Sequence, residues 1–253
     1  MPDLVYKMTV LDRIKHFGIR KILKRCAIGR VMYPAVRWCY RLYSVPMKRR
    51  RLQTKGVDCM RRLHELLTAK GVEYYCDSGT LLGFVRDHGF IRNDDDIDVS
   101  IVEGTIKPVE LLKILLEAGY GYVHAFDYNG VIHEFTVADP SQITIDFYFQ
   151  TLQKGSTTIL DAWGVYWDSK IAYPAENANS VISYPFLKPT GFKLLDVLGI
   201  KVRIPENVEA VLDTEYPNWQ NPDPNFKHDG ECPHTDWPGF AYRLTEEEAM
   251  SHA

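Results

Sequence analysis

The 253-residue chain is 45% hydrophobic and 25% charged, which is typical of a globular protein with a sizeable core and excludes a disordered or fibrous chain. No apolar run approaches the roughly 18 residues of a membrane-spanning helix, and charges interrupt the N-terminus, so we expect neither a membrane span nor a signal peptide. Five scattered cysteines without a CxxC pair argue against a disulfide framework and favour a reducing, cytoplasmic location.

The net charge of −3 hides two regions of opposite sign. Residues 1–62 carry 17 Lys and Arg against 3 acids, whereas the remainder carries 13 against 30. Apolar residues recur at helical spacing in the first region, and we expect Pro34 and Pro46 to break that pattern before a further helix begins at Lys48. The sequence therefore predicts a basic helical N-terminal arm over residues 1–56 and a second domain over residues 57–253.

The function of the basic arm has two competing interpretations. It is either a solvated or core-packed helical extension, or a segment that lies on an anionic membrane surface with Trp38, Tyr40 and Tyr43 at the interface. The second is slightly favoured and predicts a peripheral protein at the inner face of the membrane. No nucleic-acid-binding module accompanies the charge, so we expect no specific nucleic-acid partner.

Beyond the arm, short apolar runs alternate with helical patterns, which indicates an α+β protein with a mixed sheet flanked by helices. Strands are predicted at residues 72–77, 97–102, 120–126, 131–138, 143–150, 163–167 and 201–204, and helices at 80–86, 107–118 and 207–215. The Pro-rich tail from Tyr216 is predicted to be an ordered loop.

Four aspartates occupy five consecutive positions, Asp94 to Asp96 and Asp98. This density of like charge is costly unless a cation compensates it. In a strand, alternate side chains share a face, so Asp96 and Asp98 are expected to project together while Ile97 enters the core. Magnesium favours one or two such carboxylates and completes its shell with phosphates and water. Asp94 and Asp95 can alternatively be plain turn residues.

A third acid, Asp146, lies in the apolar run ITIDFYFQ between Ile145 and Phe147. A lone carboxylate in such a strand needs a partner, because burying an unpaired charge is expensive. If this strand neighbours the one that carries Asp96 and Asp98, the three carboxylates form one metal-binding cluster.

Ser78, Gly79 and Thr80 stand where a predicted strand passes into a helix, where backbone N–H groups and a hydroxyl can bind a phosphate. Arg86 follows in the same helix and can bind a phosphate as a bidentate donor, or be an ordinary surface arginine.

A zinc ion is a further candidate for binding. Three possible zinc ligands, His228, Cys232 and His234, fall within seven residues of the tail. Their spacing matches no strong zinc pattern, so a plain polar loop is the favoured interpretation.

The segment GTLLGFVRDHGFIRNDDDIDV, residues 79–99, resembles the LicD and fukutin-related phosphotransferase family, whose pattern is approximately GTLLGxxRxxGFIPWDDDID. Arg92 and Asn93 stand where Pro and Trp are usual. The later segment VRIPENVEAVLDTEYPNWQNPDP is similar to the family's ending, with Pro217 in place of a usual Gly. The resemblance covers roughly residues 57–224 and leaves the basic arm outside.

The resemblance implies a nucleotidyltransferase-like fold for the second domain, and an enzyme that transfers phosphocholine, a phospho-alditol or a similar phospho-group. The implied donor is a nucleotide diphosphate, CDP-linked, the acceptor is a cell-surface glycan or glycolipid, and the cofactor is Mg²⁺, with Mn²⁺ as the alternative. Asp96 and Asp98 would hold the metal, and Asp146 would be a further ligand or the base for the acceptor hydroxyl. The rival hypotheses are a nucleotidyltransferase that adds NMP to a small molecule or protein, and a non-catalytic membrane or polyanion adaptor.

Overall fold

The computed structural model describes residues 27–102, 104–149, 151–152, 159–166, 171–223 and 235–252. In these ranges the helices are α1 (Ala27–Ala69), α2 (Ser78–Leu82), α3 (Pro108–Glu117), α4 (Val208–Glu215) and α5 (Glu246–Met250), and a π-helical turn (Gly83–Asp87) continues α2. The strands are β1 (Tyr74–Cys76), β2 (Asp96–Ile101), β3 (Gly121–Tyr128), β4 (Val131–Ala138), β5 (Thr144–Tyr148), β6 (Thr151–Leu152), β7 (Ile159–Tyr166), β8 (Ala178–Leu187), β9 (Phe192–Val197), β10 (Ile200–Pro205) and β11 (Thr235–Leu244).

One mixed sheet of nine strands organises the described part of the chain, in the order β1-β2-β5-β4-β3-β11-β8-β7-β6. Strands β2 and β5 are parallel, and the other neighbours are antiparallel. The separate β9–β10 hairpin packs against β1 and α1, while α3 and α5 pack on β3 and β4. The predicted α+β fold, a mixed sheet flanked by helices, is confirmed.

The two faces of the sheet differ in chemistry at β2 and β5. One face is packed with apolar side chains that are fully buried: Ile97, Val99, Phe135, Ile145 and Phe147. Each such side chain contributes about 1.5–3 kcal/mol when it leaves water. Because strand side chains alternate, the intervening residues, including Asp98 and Asp146, are held on the opposite face.

Helix α1 is anchored by one apolar face. Its fully buried residues recur at helical spacing: Leu52, Cys59, Met60, Leu63 and Leu67. Arg62, one turn from the buried Cys59, forms an ion pair of 2.5 Å with Asp139 in the β4–β5 turn. The C-terminal half of α1 is therefore part of the main core.

The prediction that proline breaks this segment is wrong, because α1 runs without interruption past Pro34 and Pro46. A helical proline leaves one carbonyl without its usual partner. Pro46 lies on an exposed face, where water can bind that carbonyl, and the buried half of the helix holds the remainder in place. The proposed domain boundary after residue 56 falls inside this helix, and the division into two domains stays a prediction.

The prediction of an irregular tail is also wrong for residues 235–244, which form β11 between β3 and β8. Proline normally argues against a central strand, because it has no N–H to donate. Here Pro238 and Gly239 lie in a bulge between Trp237 and Phe240, where the ladder is already interrupted. Strands β8 and β9 were not predicted either.

Within the part of the chain that the structure describes, no helix is long and apolar enough to cross a membrane.

Candidate functional site

The site begins at the junction between β1 and α2, which Asp77 fixes. Its backbone N–H donates to the carbonyl of Asp98 at 3.1 Å. Its side chain caps α2 by accepting from the N–H of Ser78 at 2.8 Å, and it also accepts from the hydroxyl of Ser100. Because Asp77 is only 1% exposed, these bonds are protected from water and set the path of the chain into the site.

The predicted phosphate-binding residues lie against the acidic segment. Thr80 is fully buried, and its hydroxyl accepts from the N–H of Asp98 at 2.9 Å, so it supports β2. A Cβ atom on Gly79 would lie 2.7 Å from Oδ2 of Asp94 and 3.5 Å from Oδ2 of Asp98. A larger residue at position 79 would therefore push the carboxylate of Asp94 out of its present position. The phosphate contacts of Ser78, Gly79 and Thr80 stay predictions.

The register of β2 and β5 brings the predicted acids together. Asp98 lies directly opposite Asp146, and Asp96 lies opposite Thr144, in the parallel pair. Facing residues in register share one side of the sheet. Strand β5, which carries Asp146, is thus the neighbour of β2, as the sequence led us to expect. The roles of these carboxylates as metal ligands stay a prediction.

A compact acidic group stands at the start of β2. One carboxylate oxygen from each of Asp94, Asp95 and Asp96 lies within 4.8 Å of the other two, which is close enough for one metal ion. Asp94 also forms a local turn, since its N–H donates to the carbonyl of Ile91 and its side chain accepts from the N–H of Asp95. Asp96 belongs both to this group and to the predicted set with Asp98 and Asp146.

Burial and like charge both oppose ionisation of these acids. Burial, followed by repulsion from Asp96, Asp94 and Asp146, raises the pKa of Asp98 well above its ordinary value. Burial, followed by repulsion from Asp96, likewise raises the pKa of Asp94 and of Asp146. A divalent cation favours the ionised form of each group, because it replaces repulsion by attraction. The donor set therefore fits a hard, oxygen-binding cation.

Lys48 of α1 reaches the same group. Its Nζ lies 3.3 Å from Oδ2 of Asp95. Burial lowers the pKa of Lys48, but attraction to Asp95 and Asp96 outweighs it and leaves that pKa raised. No feature of the sequence separates Lys48 from the neighbouring basic residues, because its contact with Asp95 depends on the path of α1.

A polar chain extends from Asp146 across β4 to β3. The hydroxyl of Thr136 donates to Oδ1 of Asp146 and lies 2.9 Å from Nε2 of His124. That same Nε2 lies 3.8 Å from Oε1 of Glu134. On the other side, the hydroxyl of Tyr148 donates to Oδ1 of Asp98 at 3.4 Å. Sequence reasoning missed these residues, although they alternate with core residues along β4 and β5.

Arg86 is held away from the acidic group by other partners. Its guanidinium forms a bidentate ion pair with Asp87, at 2.7 and 2.8 Å, and donates to the carbonyl of Trp219 at 3.4 Å. These bonds use three of the five N–H donors of the guanidinium, and the phosphate contact predicted for Arg86 stays a prediction. The zinc candidates His228, Cys232 and His234 lie outside the described residues.

Comparison with known proteins identifies the family of this chain. The sequence model for the nucleotidyltransferase domain of the LicD/FKTN/FKRP family matches residues 71–207, more than half of the chain. An uncharacterized protein of Rickettsia typhi is 38% identical over 93 residues, which are 34% of this chain and 30% of that protein. An uncharacterized protein of Rickettsia prowazekii is 41% identical over 71 residues, 28% of this chain and 27% of that protein.

Among solved structures, the lincomycin-bound lincosamide antibiotic adenylyltransferase LnuA aligns with a TM-score of 0.36 and 16% identity, over 60% of this chain and 80% of that one.

Proposed function

Because the chain belongs to the LicD/FKTN/FKRP family, as its sequence motif predicted, we propose that it is a metal-dependent transferase that moves a phospho-group from a CDP-linked donor to a cell-surface glycan or glycolipid. The family, with its nucleotidyltransferase domain, supports transfer of a phosphorus-containing or nucleotidyl group. The identity of the donor and of the acceptor, and the need for a metal, are the finer parts of the proposal.

The observation that carries this proposal is the pairing of Asp98 with Asp146 across parallel strands, next to the acidic group at the start of β2. Five acids converge there, and in the described structure Lys48 forms an ion pair with one of them. Such a concentration of carboxylates is costly for a fold that has no use for it. It is suited to binding a cation that in turn binds the phosphates of a donor.

In the proposed enzyme, Asp96 and Asp98 hold Mg²⁺ or Mn²⁺, with Asp146 as the third carboxylate. The chemistry that a bound cation supplies is neutralisation of charge on the diphosphate and on the departing nucleoside monophosphate. The chain itself excludes water from beneath the site through the buried Thr80 and Asp77, and holds β2 at a fixed distance from α2.

The proposed reaction forms one bond and breaks one. The acceptor hydroxyl oxygen bonds to the phosphorus of the transferred group, and the bond from that phosphorus to the bridging oxygen breaks, with its electron pair leaving on CMP. The proton of the hydroxyl passes to a carboxylate at the site or to solvent. Because transfer depends mainly on positioning and on charge neutralisation, loss of one metal-holding carboxylate is expected to remove several kcal/mol of that stabilisation.

The test measures CMP release and glycan labelling with CDP-choline and CDP-alditol donors, a panel of cell-surface glycans, and Mg²⁺. Asp96→Ala and Asp98→Ala should each lower turnover by about 1,000-fold. Asp58→Asn is a matched control, because Asp58 is exposed and forms an ion pair with Arg61 of its own helix, away from the acidic site. Unchanged turnover in both site variants would contradict the proposed mechanism.

A second candidate, transfer of NMP to a small molecule or protein, is favoured by the nucleotidyltransferase domain that the family's description names. It uses the same acidic group. The products separate the two: released CMP supports transfer of a phospho-group, whereas released pyrophosphate, from an NTP donor, supports transfer of a nucleotidyl group.

The proposed acceptor places the protein at the cytoplasmic face of a membrane, with the basic arm on anionic lipid. The charge of residues 1–62 supports this placement. Replacing Arg20, Lys21, Lys24 and Arg25 by Gln should weaken sedimentation with phosphatidylserine vesicles and leave binding to neutral vesicles unchanged. Equal sedimentation of variant and wild type would remove the arm as the anchor and would favour the solvated-extension interpretation.

A further inference from the structure

We infer that Thr136 and His124 are positioning residues, which hold the carboxylate of Asp146 in one orientation toward a divalent cation. This inference rests on the proposed function, because it assigns Asp146 to the metal-holding set.

The sheet places these side chains in one row. Asp98 on β2 faces Asp146 on β5, Asp146 faces Thr136 on β4, and Thr136 faces His124 on β3. Residues that face each other across adjacent strands point to the same side of the sheet. Four consecutive strands therefore present a continuous polar line that ends at the predicted metal ligands.

The hydrogen bonds within the row have a defined direction. The single hydroxyl proton of Thr136 is donated to Oδ1 of Asp146. When Asp146 is ionised, as it would be beside a cation, the same hydroxyl accepts from Nε2 of His124, 2.9 Å away, in the form of the imidazole that carries a proton on that nitrogen. Thr136 is only 2% exposed, so water does not compete for either bond. The bond to Oδ1 therefore fixes the orientation of the Asp146 carboxylate.

Neighbouring groups keep the imidazole of His124 in place. The ring of Phe126 packs edge-on against it with centroids 4.9 Å apart, and Oε1 of Glu134 lies 3.8 Å from Nε2. A fixed imidazole fixes the hydroxyl of Thr136, and that hydroxyl fixes Asp146. Carboxylates that bind metals are commonly held in this way by hydrogen-bond donors behind them.

A purely structural carboxylate in this fold is treated differently. Asp139, which is fully buried, has the guanidinium of Arg62 as its partner. Asp146 receives the neutral hydroxyl of Thr136, and the acids Asp96 and Glu134 lie close enough to repel it. His124 and the Thr136 hydroxyl favour the ionised form of Asp146, but burial and the neighbouring acids outweigh them and leave its pKa raised. The row therefore orients Asp146 without pairing it with a guanidinium or ammonium group, and a cation can supply the missing charge.

The test measures the affinity of the full chain for Mn²⁺ by calorimetry, together with the kcat and KM of CDP-donor turnover. Thr136→Val should weaken Mn²⁺ binding and lower kcat, each by about 10- to 100-fold, without a matching change in donor KM. Thr136→Ser keeps the hydroxyl and should restore both. His124→Leu should act in the same direction as Thr136→Val, and His124→Gln, which keeps an N–H donor, should act less.

Thr144→Val is the matched control. Thr144 lies on the same strand as Asp146, and its buried hydroxyl has no hydrogen-bond partner among the residues that the structure describes. Removal of that hydroxyl should leave Mn²⁺ affinity unchanged. If Thr136→Val does not fold, the test uses the two variants His124→Leu and His124→Gln together with Thr136→Ser.

The inference is overturned by equal Mn²⁺ affinity in the wild type, Thr136→Val and His124→Leu, and also by a wild type that does not bind Mn²⁺. A wild type that binds Mn²⁺ through this row but releases no CMP would instead remove the proposed donor and leave the inference standing. Loss of Mn²⁺ binding in Thr136→Ser equal to that in Thr136→Val would also overturn it, because the hydroxyl would then not be the cause.

Discussion

Two regions of this protein bury carboxylates in opposite ways. In the β4–β5 turn, Asp139 is fully buried, accepts from the N–H of Ile143 at 2.9 Å and pairs with Arg62. At the acidic site, Asp98 is 8% exposed and is surrounded by further carboxylates. The first carboxylate has a cationic partner within the fold, whereas the acids of the second region outnumber the one lysine that pairs with them in the described residues. In the proposed function, the first carboxylate stabilises the fold and the second is retained to bind a cation.

Breaking the satisfied pair should have the largest effect on stability. Arg62→Met leaves the buried Asp139 carboxylate without its cation. The expected cost is about 3 kcal/mol of unfolding free energy, at the lower end for a buried pair because the Arg62 side chain is 44% exposed. Arg61→Met is the control, because the ion pair of Arg61 with Asp58 is exposed and is worth about 1 kcal/mol or less. Urea unfolding measures both, and equal losses would mean that the Asp139 pair has no structural role.

Glu134, unlike the stabilising Asp139 pair, should lower the stability of the folded protein when it ionises. Burial raises the pKa of Glu134 from 4.5 to about 7. Between those two values the unfolded chain releases a proton that the folded chain keeps, so stability falls as pH rises through this window and is constant above it. Over this pH window the unfolding free energy falls by about 3 kcal/mol.

Glu134→Gln should therefore be more stable than the wild type at pH 8 and equal to it near pH 4, when urea unfolding is measured without Mg²⁺. Glu209→Gln, on an exposed position of α4, is the control. A variant that is no more stable than the wild type at pH 8 would argue against the raised pKa of Glu134.

Addition of Mg²⁺ should stabilise the acidic site and leave the Asp139 pair unaffected. At about 100 times its Kd, a ligand that binds only the folded state adds about 2.7 kcal/mol to the unfolding free energy. Thermal unfolding of the wild type and of Arg61→Met should show this shift, and Asp98→Asn should not. A shift that persists in Asp98→Asn would place the cation elsewhere.

The smallest effect is expected at Lys48. Its ion pair with Asp95 is partly exposed, with side-chain exposures of 36% and 30%. Lys48→Met should therefore cost about 1 kcal/mol or less in low salt, and the difference should vanish in 1 M NaCl, where the Debye length is about 3 Å. A loss that is independent of salt would point to packing of the lysine stem instead of charge.

The sequence predicted the parts of this molecule that depend on local pattern. The alternation around Ile97 and Ile145 indicated which side chains enter the core, and it placed Asp98 and Asp146 on the other face, where the structure has them opposite each other. It could not identify Thr136 or His124, because their relation to Asp146 depends on the pairing of three strands.

Other features escaped prediction because tertiary contacts override local preference. Pro46 lies within a continuous helix since the buried residues beyond it hold α1 against the core. Pro238 lies in a central strand since a bulge removes the need for its N–H. The contact of Lys48 with the acids likewise depends on where the axis of α1 points, and helical periodicity alone does not predict that direction.

The parallel pairing of β2 with β5 has a consequence for the order of folding. Asp98 and Asp146 are far apart in the chain, and α3 and the β3–β4 hairpin lie between them. Contacts that close so long a segment form late, because the entropy of the intervening chain must first be reduced by local structure. The repulsion that Asp146 adds to the four acids of residues 94–98 therefore arises only after most of the apolar surface is packed, and this part of the chain can collapse before any cation arrives.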